Sequence, residues 1–382
     1  ALTLTAIGKE FGKTDAEMAF AITLTLMFRP VGALIFGLMA DRYGRRLPLM
    51  IDLVFFSIVE VCSGFAPNFG TFLVLRALFG IGMGGEWGVG ASLAMEKAPP
   101  GRRGIFSGLL QEGYAAGYLL AAIAFYLVYP HWGWRPMFFL GGIPALLAIF
   151  VRYRVTESEV WERTKRHDWS NLGREIASHW KLFLGLVLLM TMMNLISHGT
   201  QDLYPTFLQR DWGFTPGKRA ALTAFSMVGA ITGGICFGYF SDGMGRRRTI
   251  ITALVGAIAM IPLWAWAPNV IVLVIGAFAM QFMVQGAWGV IPAHLNELSP
   301  DTLRGFFPGF AYQCGVMVAS SVTYFEALLA SRTSYATALS ITAVTVCTLG
   351  AIVVWSGRER AGLAFGDGYG EDLKHGTRSP IA

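Results

Sequence analysis

The chain has 382 residues, of which 54% are hydrophobic and only 14% charged, with a formal net charge of +6. Its mean hydropathy is +0.53. Soluble domains carry roughly a quarter charged residues, so this composition excludes a water-soluble enzyme or binding module as the bulk of the chain.

In chain order, apolar runs long enough to cross a bilayer fall at about 17–40, 48–66, 69–95, 104–129, 135–152, 181–208, 217–240, 249–267, 269–295, 305–330 and 335–356. Backbone groups in lipid must pair internally, and these runs are too long and continuous for barrel strands, so each is read as a helix. No cleavable signal peptide is read at the start. The chain opens inside an apolar segment, Ala1 to Gly8, that is too short to span. Lys and Arg alternate from side to side: 21 lie in the loops of one face, 7 on the other, and Arg29 and Arg76 within spans. That alternation is the positive-inside pattern, so the richer face is expected to be cytoplasmic and the basic balance reports topology rather than a nucleic-acid partner. Cys62, Cys236, Cys314 and Cys347 are scattered singly in apolar helices, as packing residues would be, which gives no support to a metal site or a disulfide.

The chain repeats itself at an offset of 201 residues. Gly37-Leu-Met-Ala-Asp41-Arg42-Tyr-Gly44-Arg45-Arg46 recurs as Gly238-Tyr-Phe-Ser-Asp242-Gly-Met-Gly245-Arg246-Arg247. Gly85-Glu86-Trp87-Gly88 recurs as Gly286-Ala287-Trp288-Gly289, and Glu96…Arg103-Gly104 as Glu297…Arg304-Gly305. The expected organisation is an N-terminal half over 1–152, a linker over 153–180, a C-terminal half over 181–356 and a tail over 357–382. In this register residues 1–8 are the outer end of a first helix whose start is missing, so twelve helices are expected in full, six per half.

Two six-helix halves in one membrane chain describe the major facilitator architecture. The segment from Gly37 to Arg46 resembles that superfamily's signature loop between helices 2 and 3, and its echo at Asp242 and Arg246 strengthens the likeness. An Asp at a helix end, a turn glycine and an Arg cluster can form a charge latch between helices. Arg154-Val-Thr-Glu157-Ser158-Glu-Val-Trp161 resembles the Glu-Ser-Pro-x-x-Trp segment of metabolite transporters, with Glu159 in place of the proline. The fold expected is an all-α membrane protein of two six-helix bundles.

Ionisable residues inside a span are costly and point to a pathway by default. Arg29 lies near the middle of its span, in Phe28-Arg29-Pro30. Its planar fork suits a carboxylate, which makes it a candidate anchor for an anionic substrate, with a structural pair to Glu86 or Asp202 as the competing reading. At 100° per residue, Asn194, His198, Gln201 and Asp202 share one helical stripe. A His titrates near physiological pH and an Asp beside it can trade a proton or hold its charge, so this stripe is a candidate for substrate binding and proton coupling. Asn194-x-x-Ser197-His198-x-Thr200-Gln201-Asp202-x-x-x-Thr206 resembles the signature of Jen-type lactate/pyruvate permeases, in the sialate:proton symporter branch of the superfamily. The stretch from Ala21 to Ala33 is similar to that branch's helix 2. The resemblance implies proton-coupled uptake of short monocarboxylates, with Arg29 on the carboxylate and Asn194, His198 and Asp202 in binding and coupling.

Glu86 has Ala287 as its repeat mate, so it is a candidate proton carrier or a partner of Arg29 or Arg76. Arg76 resembles a motif arginine of proton-coupled members. Gln111, Glu112, Tyr114 and Gln313 are candidates to line a central cavity. Val316, where an amide is expected, leaves the substrate open between lactate or pyruvate and sialic acid or another larger organic acid. Gly80-x-Gly82-x-x-Gly85 matches a dinucleotide fingerprint but lies in a span with no strand before it, so small-residue helix packing is expected instead. The linker residues Trp161, Arg163, Lys165, Arg166, Trp169 and Trp180 suit either a lipid-surface segment or a solvated helix. No cofactor, metal or nucleic acid is implied, no nucleophile–base pairing suggests an enzyme, and the short tail argues against a transporter-like sensor. The expected setting is a cell membrane, with linker and tail cytoplasmic and the chain working as a monomer.

Overall fold

The structure is a computed structural model, and it describes residues 3–164 and 169–366. Lys165 and Arg166 of the linker, and the tail beyond Gly366, lie outside the described residues. The helices are, in order, α1 (Leu4–Phe11), α2 (Asp15–Tyr43), α3 (Arg46–Gly64), α4 (Phe69–Lys97), α5 (Arg103–Gln111), α6 (Gly113–Trp132), α7 (Arg135–Leu140), α8 (Ala145–Arg154), α9 (Glu159–Thr164), α10 (Trp169–Ser178), α11 (Trp180–Gln201), α12 (Tyr204–Arg210), α13 (Pro216–Met244), α14 (Arg246–Ala265), α15 (Val270–Leu298), α16 (Phe307–Ala319), α17 (Val322–Arg332) and α18 (Tyr335–Ser356). Among the described residues, 11 stretches are long and apolar enough to cross a bilayer, from Glu17–Tyr43 to Tyr335–Ser356.

The repeat is written into the helix ends. α2 and α13, α4 and α15, and the 3-10 turns Pro100–Arg102 and Asp301–Leu303 have boundaries separated by 201 residues. Their caps repeat too. Thr14 accepts from the Glu17 amide and Thr215 from Lys218, while Asn68 accepts from Thr71 and Asn269 from Val272. Each cap satisfies an amide that the first turn leaves without a helical acceptor.

Four spans that read as continuous in sequence are divided. Proline lacks an N–H and crowds the carbonyl four residues back, so Pro205 ends α11 and opens α12. Gly141, Gly142 and Pro144 separate α7 from α8. The hydroxyls of Ser320 and Ser321, between α16 and α17, donate back to the carbonyls of Met317 and Val318. The fourth break lies at Glu112, ahead of Gly113, between α5 and α6.

Lipid is as apolar as leucine, so membrane helices hold together by close packing rather than by expulsion from water. The two halves pack through α5 against α13 and α15, and through α16 against α2 and α4. These contacts gather towards the basic face. A Cβ built on Gly88 of α4 would lie 2.6 Å from the Gly309 Cα of α16. Three residues further along α16, Tyr312 lies tilted against Trp87 at 4.7 Å and meets Trp288 edge-on at 6.0 Å, so the repeat pair of tryptophans grips one tyrosine. On the opposite face the main neighbours of α6 are α5 and α7, and those of α17 are α11 and α18, each within its own half. The bundle is thus closed on the basic face and parted on the other.

Gly88→Val forces backbone apart at a tight inter-half crossing. It is expected to destabilise the purified protein by about 1–3 kcal/mol, as overpacking does. Thermal unfolding in detergent measures this, and an unchanged midpoint would contradict the crossing.

Candidate functional site

On the basic face, Arg45 is fully buried at the turn after α2. A guanidinium there needs carboxylates, and Arg45 reaches Asp41 at 2.8 Å and Glu96 at 3.1 Å. Arg246 repeats this with Asp242 at 2.9 Å and Glu297 at 2.8 Å. Both turns pass through glycines in positive φ, Gly44 at 96° and Gly245 at 88°, a conformation that a side chain would strain.

The acids also reach across. Asp41 accepts from the amides of Gly305 and Phe306 in the other half, at 2.7 and 3.0 Å. Asp242 accepts from Gly104 and Ile105, at 2.8 and 3.1 Å. Each carboxylate therefore caps the start of a helix in the opposite half, where the helix dipole favours negative charge. Arg304 stands 3.6 Å from Glu96, and Arg103 stands 3.9 Å from Glu297, again across the halves.

Two segments beneath this network lock the turns. Glu157 accepts from the Arg45 and Arg46 amides, and the Trp161 indole donates to the Asp41 carbonyl at 2.8 Å. After α18, Glu359 accepts from the Arg247 amide at 2.9 Å. The Arg46 guanidinium donates to the Arg152 carbonyl, and Arg42 lies over the Tyr43 ring at 5.5 Å. Phe365 lies between two guanidinium groups, Arg103 at 3.3 Å and Arg304 at 3.7 Å from its ring centre. Gly37 packs against Phe306.

Away from that face, Arg29 sits half-buried on α2, one residue before Pro30. Its Nε is buried without a hydrogen-bond partner, and no ion pair joins it to a carboxylate among the described residues. Glu86 on α4 feels the Arg29 charge without pairing with it, and its side chain is exposed. The competing reading, a structural pair of Arg29 with Glu86 or Asp202, is therefore not formed among the described residues. Arg76 is paired instead with Glu60 at 2.5 Å and enclosed by Phe72, Phe79 and Phe138, a brace inside the N-terminal half.

In the C-terminal half, His198 Nδ1 lies 3.1 Å from Asp202 Oδ2, and Thr323 of α17 donates to the same oxygen at 2.8 Å. Gln201 donates to Gln281 of α15 at 2.9 Å. Asn194, on the same sequence stripe, is buried and its amide donates to the Met190 carbonyl of its own helix. The stripe is thus split between a half-exposed acid–base pair and residues turned into the bundle. Gln313 departs from the expected open lining: it is buried, with neither amide atom hydrogen-bonded, on a helix that packs against α11, α2 and α4. Gln111 is half-buried, whereas Tyr114 is exposed.

Three side chains of interest escaped the sequence reading. Asp52 of α3 is completely buried near Glu86 and neither carboxyl oxygen has a partner. Glu326 of α17 is likewise buried, near Asp202 and with Thr342 of α18 as its polar neighbour. Both are acids inside apolar runs, so the rule that marked Arg29 was a signal for them too. Phe365 carried no signal, because nothing in a short loop foretells two arginines. The glycines of the dinucleotide-like run lie inside α4, where Gly80 lets the Thr25 backbone approach.

A two-bundle helical membrane protein with its contacts gathered on one face has the form of a secondary transporter. The family description Major Facilitator Superfamily matches residues 1–215, and Sugar (and other) transporter matches residues 218–356. The chain belongs to the Major Facilitator Superfamily and is a multi-pass membrane transporter, not an enzyme. It is 28% identical over 359 residues to the Carboxylic acid transporter protein homolog of Saccharomyces cerevisiae, covering 87% of this chain and 58% of that protein. The chain thus spans under two thirds of the length of that yeast relative. It is 28% identical over 315 residues to the Sialic acid transporter NanX of Escherichia coli, covering 81% of this chain and 77% of that one. The solved proton:xylose symporter XylE superposes with a TM-score of 0.78 at 20% identity, covering 96% of this chain and 93% of that one, a likeness of fold.

Arg45→Ala would leave Asp41 buried without its cation and Glu96 with only Arg304, 3.6 Å away. A loss of about 3–5 kcal/mol is expected. Arg246→Ala should cost a similar amount in the other half. Denaturant unfolding of both variants compares them directly, and a negligible loss in either would show that its carboxylates find other partners.

Proposed function

We propose that this transporter is a proton-coupled symporter of short monocarboxylates, lactate or pyruvate first, working by alternating access in a cell membrane with its basic face in the cytoplasm. The observation that carries the reading is Arg29, a mid-span guanidinium that forms no ion pair with a carboxylate among the described residues and whose Nε is buried without a hydrogen-bond partner. A planar cation held there without a partner suits a carboxylate arriving with the substrate. The relatives named for carboxylic acid and sialic acid transport support an anionic substrate.

His198 and Asp202 form the coupling pair, half-exposed and facing each other, with Glu86 as a further carrier beside Arg29. Gln201, Asn194, Gln111, Tyr114 and Gln313 contribute polar lining as the halves rock. Asp41, Arg45, Asp242 and Arg246, with the surrounding Gly37, Arg42, Gly44 and Arg46, form the cytoplasmic gate. Because Asp41 and Asp242 each cap a helix of the opposite half, opening that face requires both caps to break together. The chain contains both halves of this mechanism and works as a monomer. The second reading, a proton symporter of sialic acid or another larger organic acid, is favoured by the likeness to the sialic acid transporter.

The test is uptake of radiolabelled L-lactate into proteoliposomes under an inward proton gradient, with unlabelled pyruvate, acetate and sialic acid as competitors. Gradient-driven uptake that pyruvate blocks and Arg29→Ala abolishes is the expected result. Arg29→Lys should recover only part of it, since a point charge replaces a bidentate fork. Sialic acid uptake without lactate uptake would favour the second reading, and lactate uptake indifferent to the gradient would remove the coupling role of His198 and Asp202.

A further inference from the structure

We infer that Glu326 is the buried proton store of the C-terminal half, loaded through the His198–Asp202 pair; the inference rests on the proton-coupled reading above. Glu326 is 1% exposed, and among the described residues the only donor beside its carboxyl is the Thr342 hydroxyl of α18, with no cation paired to it. An anion in that position would have one hydroxyl to compensate it, a situation proteins avoid by pairing the charge or by placing a proton on it. The lack of a paired cation is therefore an argument about what the position is for.

Its surroundings lead from an open surface to a closed pocket. Glu326 follows Thr323 by three residues, so both lie on one face of α17. Thr323 donates to Asp202 Oδ2, the oxygen that also faces His198 Nδ1. The side chains of His198 and Asp202 are 41% and 39% exposed, whereas Glu326 is sealed off. The seal comes from close packing of three helices. A Cβ on Gly199 of α11 would lie 2.8 Å from Thr342 of α18 and 3.7 Å from Val322 of α17. Only a glycine beside His198 lets α18 come that near.

The charged and titratable neighbours are few. From α11 these are His198 and Asp202, and Asp202 is the charge that acts on Glu326. α18 carries no Asp, Glu, His, Lys or Arg; its titratable groups are Tyr335 and Cys347, and its polar side chain beside Glu326 is Thr342. The Asp202 charge acts on Glu326, and a proton on either carboxyl relieves the repulsion between them. Loading moves that proton from the Asp202 carboxyl to the Glu326 carboxylate. One O–H bond breaks and one forms, and Asp202 is left as the anion that Thr323 and His198 stabilise. In this arrangement the store gives up its proton only when the packing around Gly199 loosens, which ties release to movement of α11, α17 and α18.

The experiment compares two modes of transport in proteoliposomes with radiolabelled L-lactate. Counterflow exchanges substrate without net proton movement, whereas accumulation under an imposed gradient requires it. Glu326→Gln is expected to keep counterflow and to lose gradient-driven accumulation by about tenfold or more, the scale of a site-to-site coupling. Glu326→Asp should accumulate, with its pH profile displaced. A Glu326→Gln protein that accumulates like the parent overturns the inference, as does loss of counterflow in both variants, which would make the residue purely structural. A parent that carries L-lactate without using the gradient removes the coupling reading and the store together. Should the parent not carry L-lactate at all, infrared titration of the protein in lipid decides. A protonated-carboxyl band absent from Glu326→Gln supports the store, and an unchanged band overturns it.

Discussion

A guanidinium out of reach of water persists only where carboxylates surround it, and much of this molecule is arranged to meet that condition twice. Arg45 and Arg246 are each held by an acid one turn back and another on the span that packs alongside. The acids are then committed: Asp41 and Asp242 turn their remaining capacity to amides of the opposite half. Removing one charge would expose several others, so the network forms or fails as a unit. The closed basic face, the positive-φ glycines and the docking of Glu157 and Glu359 all follow from housing two buried arginines.

Much of the architecture was legible in the sequence because it is periodic. Spans declare themselves by length and hydropathy, and the 201-residue offset declares two halves. The same offset extends to features that were not read, such as the Thr14 and Thr215 caps and the Asn68 and Asn269 caps. The interruptions at Glu112, Gly141–Pro144, Asp202–Leu203 and Ser320–Ser321 were not read, because a hydropathy window averages across a single turn. Proline and glycine marked three of these places, and two adjacent serines marked the fourth.

The polar interior was legible in part. Residue type and depth singled out Arg29, Glu86, His198 and Asp202. Partner choice was not legible, because it depends on which helices lie alongside. Asn194 shares a stripe with His198 yet faces into the bundle, and Asp202 finds Thr323, which is 121 residues away. Asp52 and Glu326 show the converse: their type and depth were as visible as those of Arg29, and burial without a paired cation gives them their interest.

Phe365 has a different kind of consequence. Its ring is held on one side by an arginine of the N-terminal half and on the other by that arginine's repeat mate, while the Leu363 carbonyl accepts from Arg103 and the Gly366 amide donates to Asp301. A ring gripped by both halves cannot keep both arginines once that face parts. The segment after α18 therefore ties the two halves together on the basic face, through a single ring and two backbone groups.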